Sequence, residues 1–195
     1  PSGYTTTLLD TDGKTIQTLV GKDANRQYVT LDQIPVNLQN AFIAIEDERF
    51  YSHHGVDFQG ILRAFALGLA NGGHFSQGAS TLTQQLLKNQ VFEGGEEETI
   101  LGRFQRKIQE QYLAIQLEKH YSKQQILEYY LNTINLGQNT LGVQAASKRY
   151  FNKSVSELSL SECAVLAGIT QNPSAYNPIT HASANSSKKS ILNSN

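Results

Sequence analysis

Cysteine is almost missing from this chain, since Cys163 is the only one among its 195 residues. A single thiol excludes an internal disulfide and a cysteine-rich zinc cluster. Because Cys163 stands directly before the apolar run Ala164–Ala167, we expect a buried, inert side chain rather than a nucleophile. Methionine is absent altogether, and nothing in the sequence offers a physical reason for that.

A dominant charge and a long apolar run are also lacking. The chain has 16 Lys and Arg residues against 17 Asp and Glu residues, for a net charge of −1. This balance argues against a general nucleic-acid binder, which needs a basic stripe. No segment reaches the roughly 18 apolar residues of a transmembrane helix. The longest candidate, Ala64–Ala70, can at most enter a membrane surface, and no signal-peptide pattern opens the chain.

What is present is a helical pattern behind a short β-prone start. The runs Thr5–Leu9 and Lys14–Leu19 flank the turn residues Asp10–Gly13, which predicts a β-hairpin. From Thr30 onward, apolar residues recur at spacings of three and four, as in amphipathic helices. Three capping patterns predict helix starts: Thr30-x-x-Gln33, Ser122-x-x-Gln125 and Ser159-x-x-Glu162.

The longest predicted helix runs from about Ile100 to Lys119, with one apolar stripe formed by Phe104, Ile108, Tyr112 and Ile115. The fold is therefore predicted to be mainly α, in three segments. These are a hairpin and linker over 1–29, a helical domain over 30–180, and a polar tail over 181–195 that frays. Glycine-containing loops at 71–78 and 92–98 are candidates for mobile flaps near a site.

The stretch from Glu46 to Gly55 carries the most chemistry, because it sets two carboxylates, an aromatic ring and a histidine pair at a helix end. An ordinary solvated helix end would also explain it, although acids there are disfavoured by the helix dipole. His53 by itself is more often structural than chemical. We predict a general acid or base among these carboxylates.

The segment from Gly78 to Gln85 is dense in neutral hydrogen-bonding groups. The ordinary explanation is a Ser80 N-cap followed by a polar helix face. The functional alternative is a helix start whose hydroxyls and amides bind sugar hydroxyls and phosphate oxygens. The candidate residues are Ser80, Thr81, Gln84, Gln85 and, one turn further, Lys88.

A cationic helix face carries Arg103, Arg106 and Lys107, with Glu110 in the following turn. An exposed i, i+4 pair of Arg106 and Glu110 would be the ordinary explanation. The functional alternative uses the cations to hold a diphosphate, with Glu46 and Glu110 as a pair of carboxylates. Two carboxylates are the recurring equipment of glycosidic chemistry. Together the three patterns predict a site for a sugar joined to a phosphate.

In order along the chain, these blocks resemble the motifs of the peptidoglycan glycosyltransferases. This is glycosyltransferase family 51, found in class A penicillin-binding proteins and in monofunctional transglycosylases. Its Glu-Asp-x-x-Phe-x-x-His-x-Gly is matched over Glu46–Gly55, its Gly-x-Ser-Thr-x-Thr-Gln-Gln over Gly78–Gln85 and its Arg-Lys-x-x-Glu over Arg106–Glu110. Further similarity covers Ile126–Asn132 and Tyr150–Pro178.

The resemblance implies a lysozyme-like glycosyltransferase fold with a small membrane-facing lobe. It implies that lipid II is polymerised into glycan strands with inversion, undecaprenyl diphosphate being the leaving group. By the same carry-over, Glu46 is the base that deprotonates the acceptor hydroxyl and Glu110 is the second catalytic carboxylate. The other residues implied to bind substrate are Asp47, Phe50, His53, Ser80, Thr81, Gln84, Gln85, Lys88, Arg103, Arg106 and Lys107.

The resemblance also implies partners and a location. These are the growing glycan strand and the outer face of a bacterial membrane, with an anchoring helix upstream of Pro1 and a transpeptidase domain as an optional continuation. The lipid is expected to approach over Phe65, Leu67 and Leu69. No cofactor is required with certainty; Mg²⁺ or Mn²⁺ is an optional partner of the diphosphate, and no metal ligand is assigned. One departure is Lys188-Lys189, where the family usually carries an arginine pair.

Two other classes of function compete with this one. A lysozyme-type hydrolase would cleave glycan with a similar carboxylate pair, but it has no diphosphate to hold with a cationic face. A non-catalytic glycan-binding module would have no use for two carboxylates within polar motifs.

Overall fold

The computed structural model describes residues 6–9, 15–19, 27–72, 78–91, 99–137 and 140–171. The predicted hairpin turn, the loop at 92–98, most of the loop at 71–78 and the tail at 181–195 lie outside the described residues. Within these ranges the chain is mainly α, as predicted. The helices are α1 Val36–Glu46, α2 Phe58–Ala70, α3 Leu82–Val91, α4 Ile100–His120, α5 Lys123–Thr133, α6 Val143–Phe151 and α7 Leu160–Ile169.

The elements before α1 are short. Strands β1 (Thr6–Leu9) and β2 (Thr15–Leu19) pair antiparallel, as the predicted hairpin requires, with a register irregularity between Leu8 and Leu9. A 3₁₀ turn at Leu31–Gln33 follows, and a second one, Val155–Glu157, precedes α7. The predicted segment boundaries after residues 29 and 180 stay predictions.

The chain forms two compact units, one from residues 1–45 and 128–195 and the other from residues 46–127. In the first unit, Phe42 and Tyr130 are fully buried and meet edge to face with ring centroids 6.2 Å apart. The buried Asn132 amide accepts the Val29 N–H at 2.9 Å and donates to the Val29 carbonyl at 2.8 Å. These two hydrogen bonds satisfy both backbone groups of Val29, in the segment before α1, as a neighbouring β-strand would.

Cys163 is fully buried in α7, and burial raises the pKa of its thiol to about 11, with the neighbouring Glu162 adding to the effect. A thiol with so high a pKa is almost entirely protonated near neutral pH and is a poor nucleophile. The expectation of an inert cysteine is confirmed.

Glu162 completes the capping box that the sequence predicts for α7. Its carboxylate accepts from Lys153 Nζ at 2.8 Å and from the Ser159 N–H at 2.8 Å. The hydrogen bond from Lys153 comes first and the one from the Ser159 backbone second in lowering the pKa of Glu162 from 4.5 to about 2.

We predict that this capping box adds acid-sensitive stability. Because the folded pKa of Glu162 lies below its ordinary value, its contribution is complete above about pH 4.5 and is lost as the pH falls toward 2. For this partly exposed group the contribution is about 1 kcal/mol. Urea unfolding of Glu162→Gln at pH 7 and at pH 3 checks this: the variant should be less stable than wild type at pH 7, with a smaller gap at pH 3. A gap that does not narrow would contradict the assignment.

In the second unit, α4 covers the span the sequence predicts, but its apolar stripe faces outward. Phe104, Ile108 and Tyr112 are 64%, 51% and 62% exposed. Helix α4 packs on α3, and its buried residues include Glu110 and Ala114. Periodicity identifies an apolar face, but it does not tell whether another element covers that face.

Gly55 allows the loop after α1 to lie directly on α4. Its φ is +87°, and a Cβ built on it would stand 2.6 Å from the carbonyl carbon and oxygen of Ala114. No side chain fits there, because real Cβ contacts of that length do not occur. Glycine at this position is therefore required by both backbone conformation and space.

We predict that Gly55→Ala destabilises the protein by about 3 kcal/mol or more, from strain and overpacking together. Gly72→Ala is the matched control, because Gly72 also has a positive φ, of +67°, but no atom of the described residues stands within 4 Å of its built Cβ. The control should lose only about 1–2 kcal/mol, from strain alone. Equal losses in denaturant unfolding would show that the close approach to α4 contributes nothing.

Candidate active site

The first turn of α3 is held by a buried carboxylate from another part of the chain. Asp47 Oδ2 accepts the Leu82 N–H at 3.0 Å, and both Asp47 oxygens lie within 3.0 Å of His53 Nε2. Asp47 and His53 are only 7% and 9% exposed. Because an ionised carboxylate can only accept, Nε2 of His53 carries the hydrogen. Asp47 thus satisfies a helix-start N–H that has no intrahelical partner.

Thr81 closes the same turn as the residue before α3. Its hydroxyl donates to the Gly55 carbonyl at 2.7 Å, and its N–H donates to Gln84 Oε1 at 3.0 Å. The Gln84 N–H in turn donates to the Thr81 hydroxyl at 3.2 Å, which completes a capping box. The cap considered for Ser80 in the sequence therefore belongs to Thr81, and Ser80 is free for another contact.

Glu46 is the last residue of α1 and is half-buried. Gln85 Nε2 donates to Glu46 Oε2 at 2.9 Å. The two residues stand in different motifs, so the fold joins the first motif to the second at this contact.

Glu110 is 3% exposed and lies among cations. Lys107 Nζ contacts Glu110 Oε2 at 3.1 Å and donates to Ser80 Oγ at 2.8 Å. Arg106 Nε lies 3.4 Å from Glu110 Oε1. A buried carboxylate with two cationic neighbours holds those cations in place. The geometry therefore favours Glu110 as the residue that fixes the cationic face.

Glu110, its cationic neighbours and Gln85 help to line a cavity of about 290 Å³, whereas Glu46 is not part of the lining and contacts it through Gln85. Seven of the residues predicted from the sequence meet there, and Asn89, which sequence reasoning missed, joins them; its only signal is its place next to Lys88. The lining consists of Ser80, Gln84, Gln85, Lys88, Asn89, Arg106, Lys107 and Glu110.

Five predicted substrate-binding residues do not line this cavity. Asp47, Phe50 and Thr81 are buried and bonded or packed within the protein, and Arg103 is exposed on α4 outside the lining. His53 borders a separate cavity of about 320 Å³. Direct contact of these five with a substrate stays a prediction, and the positions of the buried ones favour a supporting role.

In the described part of the chain, no three or more His, Cys, Asp or Glu side chains gather where they could hold a metal ion. A divalent cation that binds through the substrate's diphosphate stays a prediction. None of the helices described is both long enough and apolar enough to cross a membrane.

The chain belongs to the transglycosylase family, whose model, described as Transglycosylase, matches residues 12–194. The resemblance drawn from the motifs is thereby confirmed, and with it the class of enzyme: a glycosyltransferase domain of the kind found in class A penicillin-binding proteins. The match covers all three motifs.

Relatives in the family are penicillin-binding proteins 1A. That of Clostridium botulinum (strain Langeland) is 53% identical over 164 residues, 82% of this chain and 19% of that protein. That of Escherichia coli K12 is 52% identical over 151 residues, 77% of this chain and 17% of that protein. The chain thus spans about a fifth of the length of the curated relatives it matches. The crystal structure of the Haemophilus influenzae protein has a TM-score of 0.48 and 24% identity over 98% of this chain and 17% of that one.

Proposed function

We propose that this chain polymerises lipid II into glycan strands, with inversion at the sugar carbon and release of a lipid diphosphate. The cationic cavity beside Glu46 carries the proposal. Arg106, Lys107 and Lys88 border the same space, which is more cationic than a neutral glycan requires. A diphosphate-bearing sugar matches it in charge.

The cations have a clear part in the reaction. As the bond from the sugar carbon to the diphosphate oxygen breaks, negative charge develops on the leaving group. Lys107 is 41% exposed at its side chain while Glu110 is almost fully buried, so the ammonium can face a ligand while its partner anchors it. Preorganised cations in a shielded cleft stabilise such charge without reorganising at the moment of reaction.

Glu46 supplies the base in this proposal. The acceptor hydroxyl is a weak nucleophile, and a carboxylate within hydrogen-bond reach can take its proton as the new bond forms. Gln85 donates to one oxygen of Glu46, and in this proposal that bond orients the carboxylate toward the acceptor hydroxyl. Attack from the face opposite the diphosphate gives inversion.

A hydrolase remains the second candidate because both reactions need carboxylates. The structure disfavours it at Glu110, which two cations neutralise within 3.4 Å. A hydrolase of neutral glycan has no use for the cationic face that Arg106 and Lys107 form beside this carboxylate.

We predict that Glu46→Gln lowers polymerisation of labelled lipid II by about 10²–10⁴-fold, because the amide cannot accept the proton. Glu48→Gln is the matched control: Glu48 is two residues away, and its side chain is 73% exposed. It should keep near wild-type activity. Gel sizing of the products checks both variants. Polymer formed by Glu46→Gln at the wild-type rate would remove Glu46 from its role, and wild-type protein that shortens finished glycan would favour the hydrolase.

We also propose that the second unit lies on a membrane surface. Four large apolar side chains on α2 are more than half exposed, at spacings of four, three and four: Phe58, Leu62, Phe65 and Leu69. An exposed apolar stripe of this kind marks an interaction site, and a lipid substrate brings the enzyme to a bilayer. Such a helix lies in the interface with its apolar face buried.

We predict that Leu62→Ser reduces binding to phospholipid vesicles by roughly tenfold or more, because burying a leucine contributes about 1.5–3 kcal/mol. Leu160→Ser is the matched control: Leu160 is 60% exposed and Leu62 is 69% exposed, but Leu160 lies on α7 in the other unit. Co-sedimentation with vesicles measures both. Equal binding by the two variants would contradict the proposed membrane face.

A further inference from the structure

The second unit also contains a buried ion pair, Lys123 with Glu118, that does not line the cavity. Lys123 Nζ stands 2.7 Å from Glu118 Oε2 and 2.9 Å from Oε1. The Glu118 side chain is 3% exposed and that of Lys123 is 17% exposed. Burying two charges carries a desolvation cost that two apolar side chains of similar size would not have. The ion pair contacts two other parts of the second unit, which it can hold in place.

The first of these parts is α3. The fully buried Thr83 hydroxyl donates to Glu118 Oε1 at 2.5 Å. Thr83 is two residues before Gln85, and residues two apart on a helix point in different directions. The bond that Thr83 donates to Glu118 thus holds one side of the helix, while the amide of Gln85 meets Glu46 on another.

The second of these parts is the loop after α1. Lys123 Nζ lies 4.4 Å from the centroid of the Phe50 ring, within the range of a cation–π contact. Phe50 is fully buried and packs edge-on against His53, with centroids 6.3 Å apart. His53 in turn binds Asp47. Lys123 is therefore linked to the helix of Gln85 through Glu118 and Thr83. It is linked to the segment that follows Glu46 through Phe50.

We propose that Glu118 and Lys123 are positioning residues for the reaction, acting through Thr83 on Gln85 and Glu46. The proposal rests on the glycosyl-transfer function above and adds residues outside the three motifs. Because neither residue lines the cavity, the pair sets the position of the base and not the affinity for substrate. A displacement of about 1 Å at a reacting group can cost roughly 10²-fold in rate.

Thr83→Val is the sharpest test, because it removes the hydroxyl in nearly the same volume and leaves the ion pair intact. Removing Glu118 or Lys123 alone would leave a buried charge unpaired and could unfold the protein. We expect kcat to fall about tenfold, within the range for a small displacement, with KM within about twofold of wild type. Thr83→Ser keeps the hydroxyl and should restore the rate. Thr133→Val is the matched control, since among the described residues its hydroxyl bonds only within α5, to the Tyr129 and Tyr130 carbonyls.

A second readout does not depend on turnover. In ¹⁵N NMR spectra the side-chain amide of Gln85 reports its bond to Glu46, and Thr83→Val should shift it while Thr83→Ser and Thr133→Val should not. If wild-type protein leaves lipid II unchanged, the proposed function fails and this comparison still decides the positioning role. An unmoved Gln85 signal would overturn the proposal. So would a Thr83→Val variant that loses thermal stability but keeps wild-type kcat, since that is the pattern of a merely structural residue.

Discussion

The carboxylate of Asp47 is the contact on which the candidate site depends. It accepts the Leu82 N–H at the start of α3 and is held on its other side by His53. A buried carboxylate with these partners is satisfied without facing solvent. Because Gln85 lies one turn further along α3, the place where its amide meets Glu46 follows from where Asp47 fixes the helix start.

Burial separates the polar residues into two groups with different roles. Asp47, Thr81 and Glu118 are enclosed and bond to other parts of the protein. Lys88 and Lys107 reach the cavity, and Lys107 is anchored there by Glu110. A cation in such a position keeps its charge available to an anionic ligand, while the enclosed group restricts its movement. In the proposed reaction, this division lets one family motif contain both the base, Glu46, and a buried residue, Asp47, that supports the site from within the protein.

Helix spans and caps could be predicted from the sequence, whereas contacts between residues far apart in the chain could not. The span of α4 was predictable because its periodicity is long, and the Ser159 and Ser122 caps because their partners lie three residues away. The exposure of Phe104 was not predictable, because periodicity does not show whether another element covers an apolar stripe. The family motifs indicated which residues matter, but not that Thr81 caps α3. Nor did spacing reveal that Thr83 meets Glu118 at a separation of 35 residues.

Native-state hydrogen exchange at the Leu82 amide tests the central claim most directly. If Asp47 holds the start of α3, this amide should exchange as slowly as the core amides of its unit, through global or sub-global opening. In Asp47→Ala it should exchange at least about tenfold faster than in the wild type relative to those core amides, because its acceptor is gone. Rapid exchange of Leu82 in the wild type, or unchanged protection in the variant, would contradict the account.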